Sequence, residues 1–194
     1  MSLSIASLCV YCGSAEGHNP VYRAVAQRLG RLLAENNIRL IYGGGGIGLM
    51  GALAEAVVAH KGHVTGIIPG FLEAREAGNR RIDDLRVVDS MHARKQLMFE
   101  LSDAFAVLPG GFGTLDEFFE IITWRQLGQH DKPIVLINEA GYWAPLLRLA
   151  EHGRQAGFMP DHRKLFHVVE RVEDLLSLLE TERAPHHAAA AARI

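Results

Sequence analysis

Short apolar runs alternate with longer amphipathic stretches from one end of this chain to the other, and that alternation leaves few architectures open. The runs are SIASLCVY (4–11), IRLIY (38–42), HVTGIIP (63–69), LRVVD (85–89), DAFAVLP (103–109) and KPIVLIN (132–138). Strands apolar at nearly every position are those of a sheet covered on both faces. Helical periodicity fills the gaps, over about 20–36, 48–61, 91–102, 114–127, 142–156 and 172–180. Asn19 is placed to cap the first of these helices, with Pro20 at its first position, and Ser90 to cap the third. Strands alternating with helices build a parallel sheet. The expected fold class is therefore α/β, a single Rossmann-like doubly wound parallel sheet with helices on both faces. At 194 residues and 48% hydrophobic content, the chain can bury one substantial core and does not need two. One domain is expected over 1–181. From Glu182 the sequence ERAPHHAAAAARI loses its apolar periodicity, so 182–194 is expected to fray as a disordered tail.

A net charge of −2 gives no basic field, which argues against nucleic acid or an anionic membrane as partner. No apolar run approaches the roughly 18 residues of a membrane span, and the N-terminus lacks the pattern of a secretory signal, so a cytoplasmic protein is expected. Cys9 and Cys12 in CVYC have the spacing of a redox or zinc half-site, but they lie in or at the end of a strand with no second ligand pair. Packing explains them better. The ten histidines are scattered, with no H-E-x-x-H pair, and no metal is expected.

In a doubly wound sheet, ligands sit beyond the carboxyl ends of the strands, where loops lead into helix N-termini. Three such loops carry unusual chemistry. Gly43-Gly44-Gly45-Gly46-Ile47-Gly48 follows a strand and opens a helix, a context in which glycine lets amides approach a phosphate. No Lys-Ser/Thr follows it, and the next strand ends without the acid that would hold a ribose, so neither a Walker loop nor a dinucleotide site is implied. A tight turn with close packing is the alternative. Pro109-Gly110-Gly111-Phe112-Gly113-Thr114-Leu115-Asp116-Glu117 has the same design but adds carboxylates to the first helical turn. That pairing suits a ligand whose anionic end takes the amides while an electron-poor carbon faces an acid. Thr114 and Glu117 can equally be read as a capping box that only starts the helix. In Met91-His92-Ala93-Arg94-Lys95, two cations occupy a first helical turn that favours acids; a ligand phosphate or the neighbouring carboxylates would offset them, and an ordinary solvated Arg-Lys pair is the alternative.

Taken together these residues resemble the LONELY GUY family, long labelled "possible lysine decarboxylase". Its P-G-G-x-G-T-x-x-E signature is complete at Pro109 to Glu117, and the likeness extends through Cys12-Gly13-Ser14, YGGG at Tyr42 to Gly45, GLMG at Gly48 to Gly51, MHARK, and TWRQLGQHDKP at Thr123 to Pro133. The resemblance covers roughly residues 5–180. It implies a phosphoribohydrolase that cleaves the N-glycosidic bond of an N6-substituted adenosine 5′-monophosphate, activating a cytokinin and releasing ribose 5-phosphate, with no cofactor. It further implies Arg94 and Glu117 as the catalytic pair, and Lys95, Glu76 and the segment Gly111, Phe112, Gly113, Thr114, Leu115 and Asp116 as substrate-binding. Ser14 and the glycines Gly43, Gly44 and Gly45 complete the expected binding set, and a homodimer is implied. A decarboxylase using pyridoxal phosphate would need a Schiff-base lysine, and of the lysines only Lys95 lies near the glycine loops. Related proteins with similar glycine loops that bind nucleotides or a molybdopterin-type cofactor without turnover form the alternative class.

Overall fold

The computed structural model describes residues 5–73 and 82–183. Each of the apolar runs corresponds to one strand: β1 (Ser7–Tyr11), β2 (Arg39–Tyr42), β3 (Val64–Pro69), β4 (Asp84–Val88, starting one residue before its run), β5 (Ala104–Val107) and β6 (Ile134–Ile137). A further strand, β7 (His167–Val169), completes a seven-stranded parallel sheet in the order β4-β3-β2-β1-β5-β6-β7. This last strand escapes sequence reading because it is three residues long and half-exposed at the sheet edge, so it carries no apolar run.

The helices are α1 (Pro20–Glu35), α2 (Gly48–Ala59), the single turn α3 (Gly70–Glu73), α4 (Met91–Glu100), α5 (Phe112–Gln126), α6 (Ala144–Gln155) and α7 (Leu175–Arg183). Both expected caps are present. Asn19 Oδ1 accepts from the Val21 amide at 3.1 Å, with Pro20 opening α1, and Ser90 Oγ accepts from Ala93 at 3.1 Å. Helix α7 continues through Glu182, which pairs with His167 at 3.1 Å, and ends at Arg183. Residues 184–194 of the expected tail lie outside the described residues, as does Glu76.

Side chains alternate across each strand, and the alternation divides the interior in two. Leu8, Val10, Leu40, Ala104, Val135 and Ile137 face α1, α2 and α7, whereas Cys9, Tyr11, Ile41, Phe105, Ile134 and Leu136 face α4, α5 and α6. Each fully buried aliphatic residue in these layers contributes about 1.5–3 kcal/mol relative to exposure. Cys9 and Cys12 fall in opposite layers, so they cannot pair with each other or share a ligand. Packing accounts for both.

Helices α1 and α2 meet at Gly30. A β-carbon there would lie 2.6 Å from the Leu53 carbonyl oxygen and 2.7 Å from the Ala56 β-carbon. Backbone cannot yield as a side chain can. Gly30→Ala is therefore expected to destabilise the protein by about 1–3 kcal/mol, the usual cost of overpacking, although alanine is the better helix former. Chemical denaturation of the two proteins checks this.

Candidate active site

The chain runs outward from β1 through β2 and β3 to β4, then returns to β5 on the other side of β1. Loops leaving β1 and β5 therefore diverge in opposite directions and leave a crevice at their carboxyl ends. The two loops are tied together: Leu108 N donates to Tyr11 O at 2.9 Å and Gly13 N to Pro109 O at 3.0 Å. A cleft of about 210 Å³ opens at this point, between the β1 loop, the first turn of α5 and the side chain of Arg94. A neighbouring lobe of about 250 Å³ shares Gly13, Ser14 and Gly111 with it and is walled by Tyr22 and Tyr142.

Helix α5 starts at Phe112 with Gly111 as its N-cap, two residues earlier than the periodicity indicates. The reason is the Pro-Gly-Gly turn, which reverses the chain so tightly after Leu108 that the helix begins before Thr114. Thr114 is thus its third residue and not its cap, and the T-x-x-E capping box does not form. The N-cap, a glycine, makes no side-chain capping bond. Phe112 is 92% exposed, and the space where Gly111 and Gly113 would carry side chains is open. Amides of the first helical turn and the positive end of the helix dipole thus face a cleft with room for an anion, the arrangement that binds phosphate elsewhere.

One turn further along α5, Glu117 lines the same cleft and is buried, at 8% exposure. Arg94, at 5%, reaches it from α4. Its Nη2 donates to the carbonyl oxygen of Gly43 at 3.0 Å, while Nη1 lies 3.8 Å from the Met91 sulfur. Burial pushes the Cys12 thiol well above its usual range, Glu117 adds to that rise and Arg94 opposes it, so both charges act on one side chain in the cleft wall. A buried acid and a buried guanidinium thus flank a single small volume.

Two braces hold α4 against α5. At the near end, Lys95 Nζ lies 3.0 Å from Asp116 Oδ2 and 3.1 Å from Glu120 Oε1. Burial alone would lower its pKa, but hydrogen bonds to these two carboxylates raise it. At the far end, His130 Nδ1 accepts from the Lys132 amide at 3.2 Å and its Nε2–H donates to Ile121 O at 2.9 Å. Burial holds the His130 pKa below the usual value and so keeps this neutral tautomer. Lys132 Nζ donates to Phe99 O at 2.7 Å and sits 4.0 Å above the Phe99 ring. The TWRQLGQHDKP stretch thereby fixes the helix that carries Arg94 relative to the one that carries Glu117.

Of the residues singled out by sequence, the cleft brings together Ser14, Gly43, Arg94, Gly111, Phe112, Gly113, Thr114 and Glu117. Three others point elsewhere. Leu115 packs into the α4–α5 core layer, Asp116 is turned to Lys95, and Lys95 lines a separate shallow surface depression instead of the cleft. The cations of α4 are thus offset partly by protein carboxylates, one of the two solutions open at the level of sequence. Gly44 and Gly45 also lie off the cleft. The first-turn amides of α2 do not face a ligand: Leu49 and Met50 donate to Gly13 O at 3.1 and 3.3 Å. Gly48 adopts φ +63° and its missing side chain leaves room for the Ser14 backbone. The loop after β2 thus packs its helix start against the β1 loop, and of its glycines Gly43 lines the cleft. Sequence reasoning overlooked Val10, Met50 and Met91 in the cleft wall and Tyr142 in the adjoining lobe. Met91 and Met50 sit in stretches already singled out, MHARK and GLMG; nothing local marks Val10 or Tyr142.

Fold and site together define an α/β protein with a cleft at the switch point of its sheet, lined by a glycine-capped helix N-terminus, a buried acid and a guanidinium. The chain belongs to the LONELY GUY family, and residues 50–179 match the family profile described as "Possible lysine decarboxylase". It is 44% identical over 188 residues to a cytokinin riboside 5′-monophosphate phosphoribohydrolase of Arabidopsis thaliana, covering 96% of this chain and 87% of that one. With the protein of the same name from Rhodococcoides fascians it shares 43% identity over 177 residues, 90% and 89% of the two chains. Among solved structures, the molybdenum cofactor carrier protein of Chlamydomonas reinhardtii superposes with a TM-score of 0.70 over 92% of this chain and 98% of that one. At 20% identity that likeness speaks to the fold alone.

Proposed function

We propose that this protein hydrolyses the N-glycosidic bond of N6-substituted adenosine 5′-monophosphates, releasing the free base and ribose 5-phosphate. The observation that carries the reading is the position of Glu117, a buried carboxylate one helical turn behind a glycine-capped N-terminus that opens on the same cleft. The names of the relatives point the same way.

In this reading the amides of Gly111 to Thr114 hold the 5′-phosphate and so fix the ribose against Glu117. As the bond from C1′ to the base nitrogen lengthens, positive charge develops at C1′ and O4′, and the Glu117 carboxylate stabilises it. Water then adds to C1′ and yields its proton to Glu117, the departing base takes up a proton from solvent, and Glu117 returns its proton to solvent, so that the one water molecule is split between sugar and base. Arg94, held by the Gly43 carbonyl, brings a positive charge to the same cleft, where it orients Glu117 or assists the departing base. Lys95 acts from outside the cleft, by holding Asp116 and Glu120 and thus the start of α5.

No helix among the described residues is long and apolar enough to cross a membrane. We assign the protein to the cytoplasm as a homodimer. Exposed Phe119 and Met159, at 40% and 41%, border an apolar groove between α5 and α6 on which a second copy would bury surface.

The test is chromatographic. Incubation with isopentenyladenosine 5′-monophosphate or AMP is expected to release free base, whereas binding without release would leave a nucleotide carrier. Because the phosphate supplies the positioning, kcat/KM for the monophosphate is expected to exceed that for the nucleoside by at least about 10²-fold, the scale on which lost orientation is felt. Equal turnover of adenosine and AMP would remove the amide anchor from the mechanism.

A further inference from the structure

The first two carbonyl groups of the Pro-Gly-Gly turn are engaged away from the Glu117 lobe of the cleft, and the third, Gly111 O, accepts from Leu115 N at 3.0 Å within α5. Pro109 O accepts from Gly13 N at 3.0 Å, and Gly110 O accepts from the Tyr142 hydroxyl at 2.7 Å. Across a trans peptide the C=O and N–H point in opposite directions. Fixing the Gly110 carbonyl on Tyr142 therefore fixes where the Gly111 N–H points. Gly111 borders both lobes, Tyr142 only the neighbouring one, so this N–H is turned toward the lobe that contains Glu117.

The Tyr142 ring is itself held. Its edge-to-face partners are Tyr22, at 5.4 Å between centroids, and Trp143, at 4.8 Å. The following backbone amide, Trp143 N, donates to Asn138 Oδ1 at 2.8 Å, and Asn138 Nδ2 donates to Glu170 just past β7 at 3.2 Å. A chain of contacts thus runs from the far side of the sheet to one peptide unit in the candidate phosphate site. That unit lies between two glycines, the residue type with least resistance to a peptide flip. A flip would present a carbonyl oxygen, which repels an anion, where the amide now stands.

We infer that Tyr142 is a positioning residue for the 5′-phosphate: its hydroxyl locks the Gly110–Gly111 peptide in the orientation that donates to the ligand. This rests on the hydrolase reading above for the identity of the ligand, but the effect can be measured by binding alone. The experiment compares the wild type with Tyr142→Phe, which removes one hydroxyl and keeps the ring in its aromatic cluster. Calorimetry with ribose 5-phosphate and with adenine separates phosphate from base, and steady-state kinetics with AMP separates KM from kcat. For the variant, the Kd of ribose 5-phosphate and the KM of AMP are expected to rise roughly 3- to 10-fold, the range that one net hydrogen bond accounts for, with kcat and the Kd of adenine unchanged. Partial unfolding would lower the active fraction and the binding stoichiometry without changing either constant. Unaltered ribose 5-phosphate affinity, or equal weakening for ribose 5-phosphate and adenine, overturns the inference. A wild type that binds ribose 5-phosphate but releases no base would defeat the hydrolase reading while leaving the Tyr142 comparison intact.

Discussion

Glu117→Gln is expected to bind nucleoside monophosphate with nearly wild-type affinity and to release base at least about 10²-fold more slowly, with losses up to about 10⁴-fold in the range for a general base. The amide has the size and shape of the acid, so the buried site at 8% exposure keeps its packing. What disappears is the negative charge that meets the developing cation at C1′ and the ability to accept a proton from water. The helix start is not at stake, because α5 begins at Phe112, five residues before Glu117, with Gly111 as its N-cap. Single-turnover kinetics with AMP, together with a Kd measured on the same variant, check this directly. Wild-type turnover in the amide variant would take Glu117 out of the chemistry.

Gly43→Ala is expected to lower kcat/KM by roughly 10- to 100-fold, since small misplacements of catalytic groups carry costs of that order. A β-carbon on Gly43 would overlap Nη2 of Arg94, so the guanidinium must leave the Gly43 carbonyl on which it rests. Gly43 has no left-handed backbone conformation to lose, and the atom displaced is the end of a flexible side chain. The thermal midpoint should therefore move little while activity falls. This dissociation of activity from stability is the informative result. A large fall in the midpoint with proportionate loss of activity would mean that the Gly43–Arg94 contact serves folding and not the site.

The lysines bear on the family's decarboxylase description. Among the described residues no lysine lines the cleft: Lys95 is held by Asp116 and Glu120, and Lys132 by the Phe99 carbonyl and ring. A Schiff base in this site would need an amine that the fold places elsewhere.

Local chemistry made much of the molecule legible. Continuous apolar runs such as DAFAVLP identified strands buried on both faces, and Asn19-Pro20 and Ser90 marked helix starts where their caps are found. These features depend on neighbours within a turn or so, and such neighbours are written side by side in the chain. Convergence of Arg94 and Glu117 was readable only through the family signature, because nothing in either residue's own surroundings names the other. Tertiary structure alone decided which glycine loop opens its helix start onto the cleft and which packs against the β1 loop. Both open helices, but α2 donates its first amides to Gly13 O, whereas α5 starts from a glycine cap beside a cleft. Likewise it turned Lys95 away from the cleft and set Tyr142 against Gly110. Each of these outcomes depends on which group fills a particular space or accepts a particular hydrogen bond, and that is determined only when strands distant in sequence pair and bring their loops together.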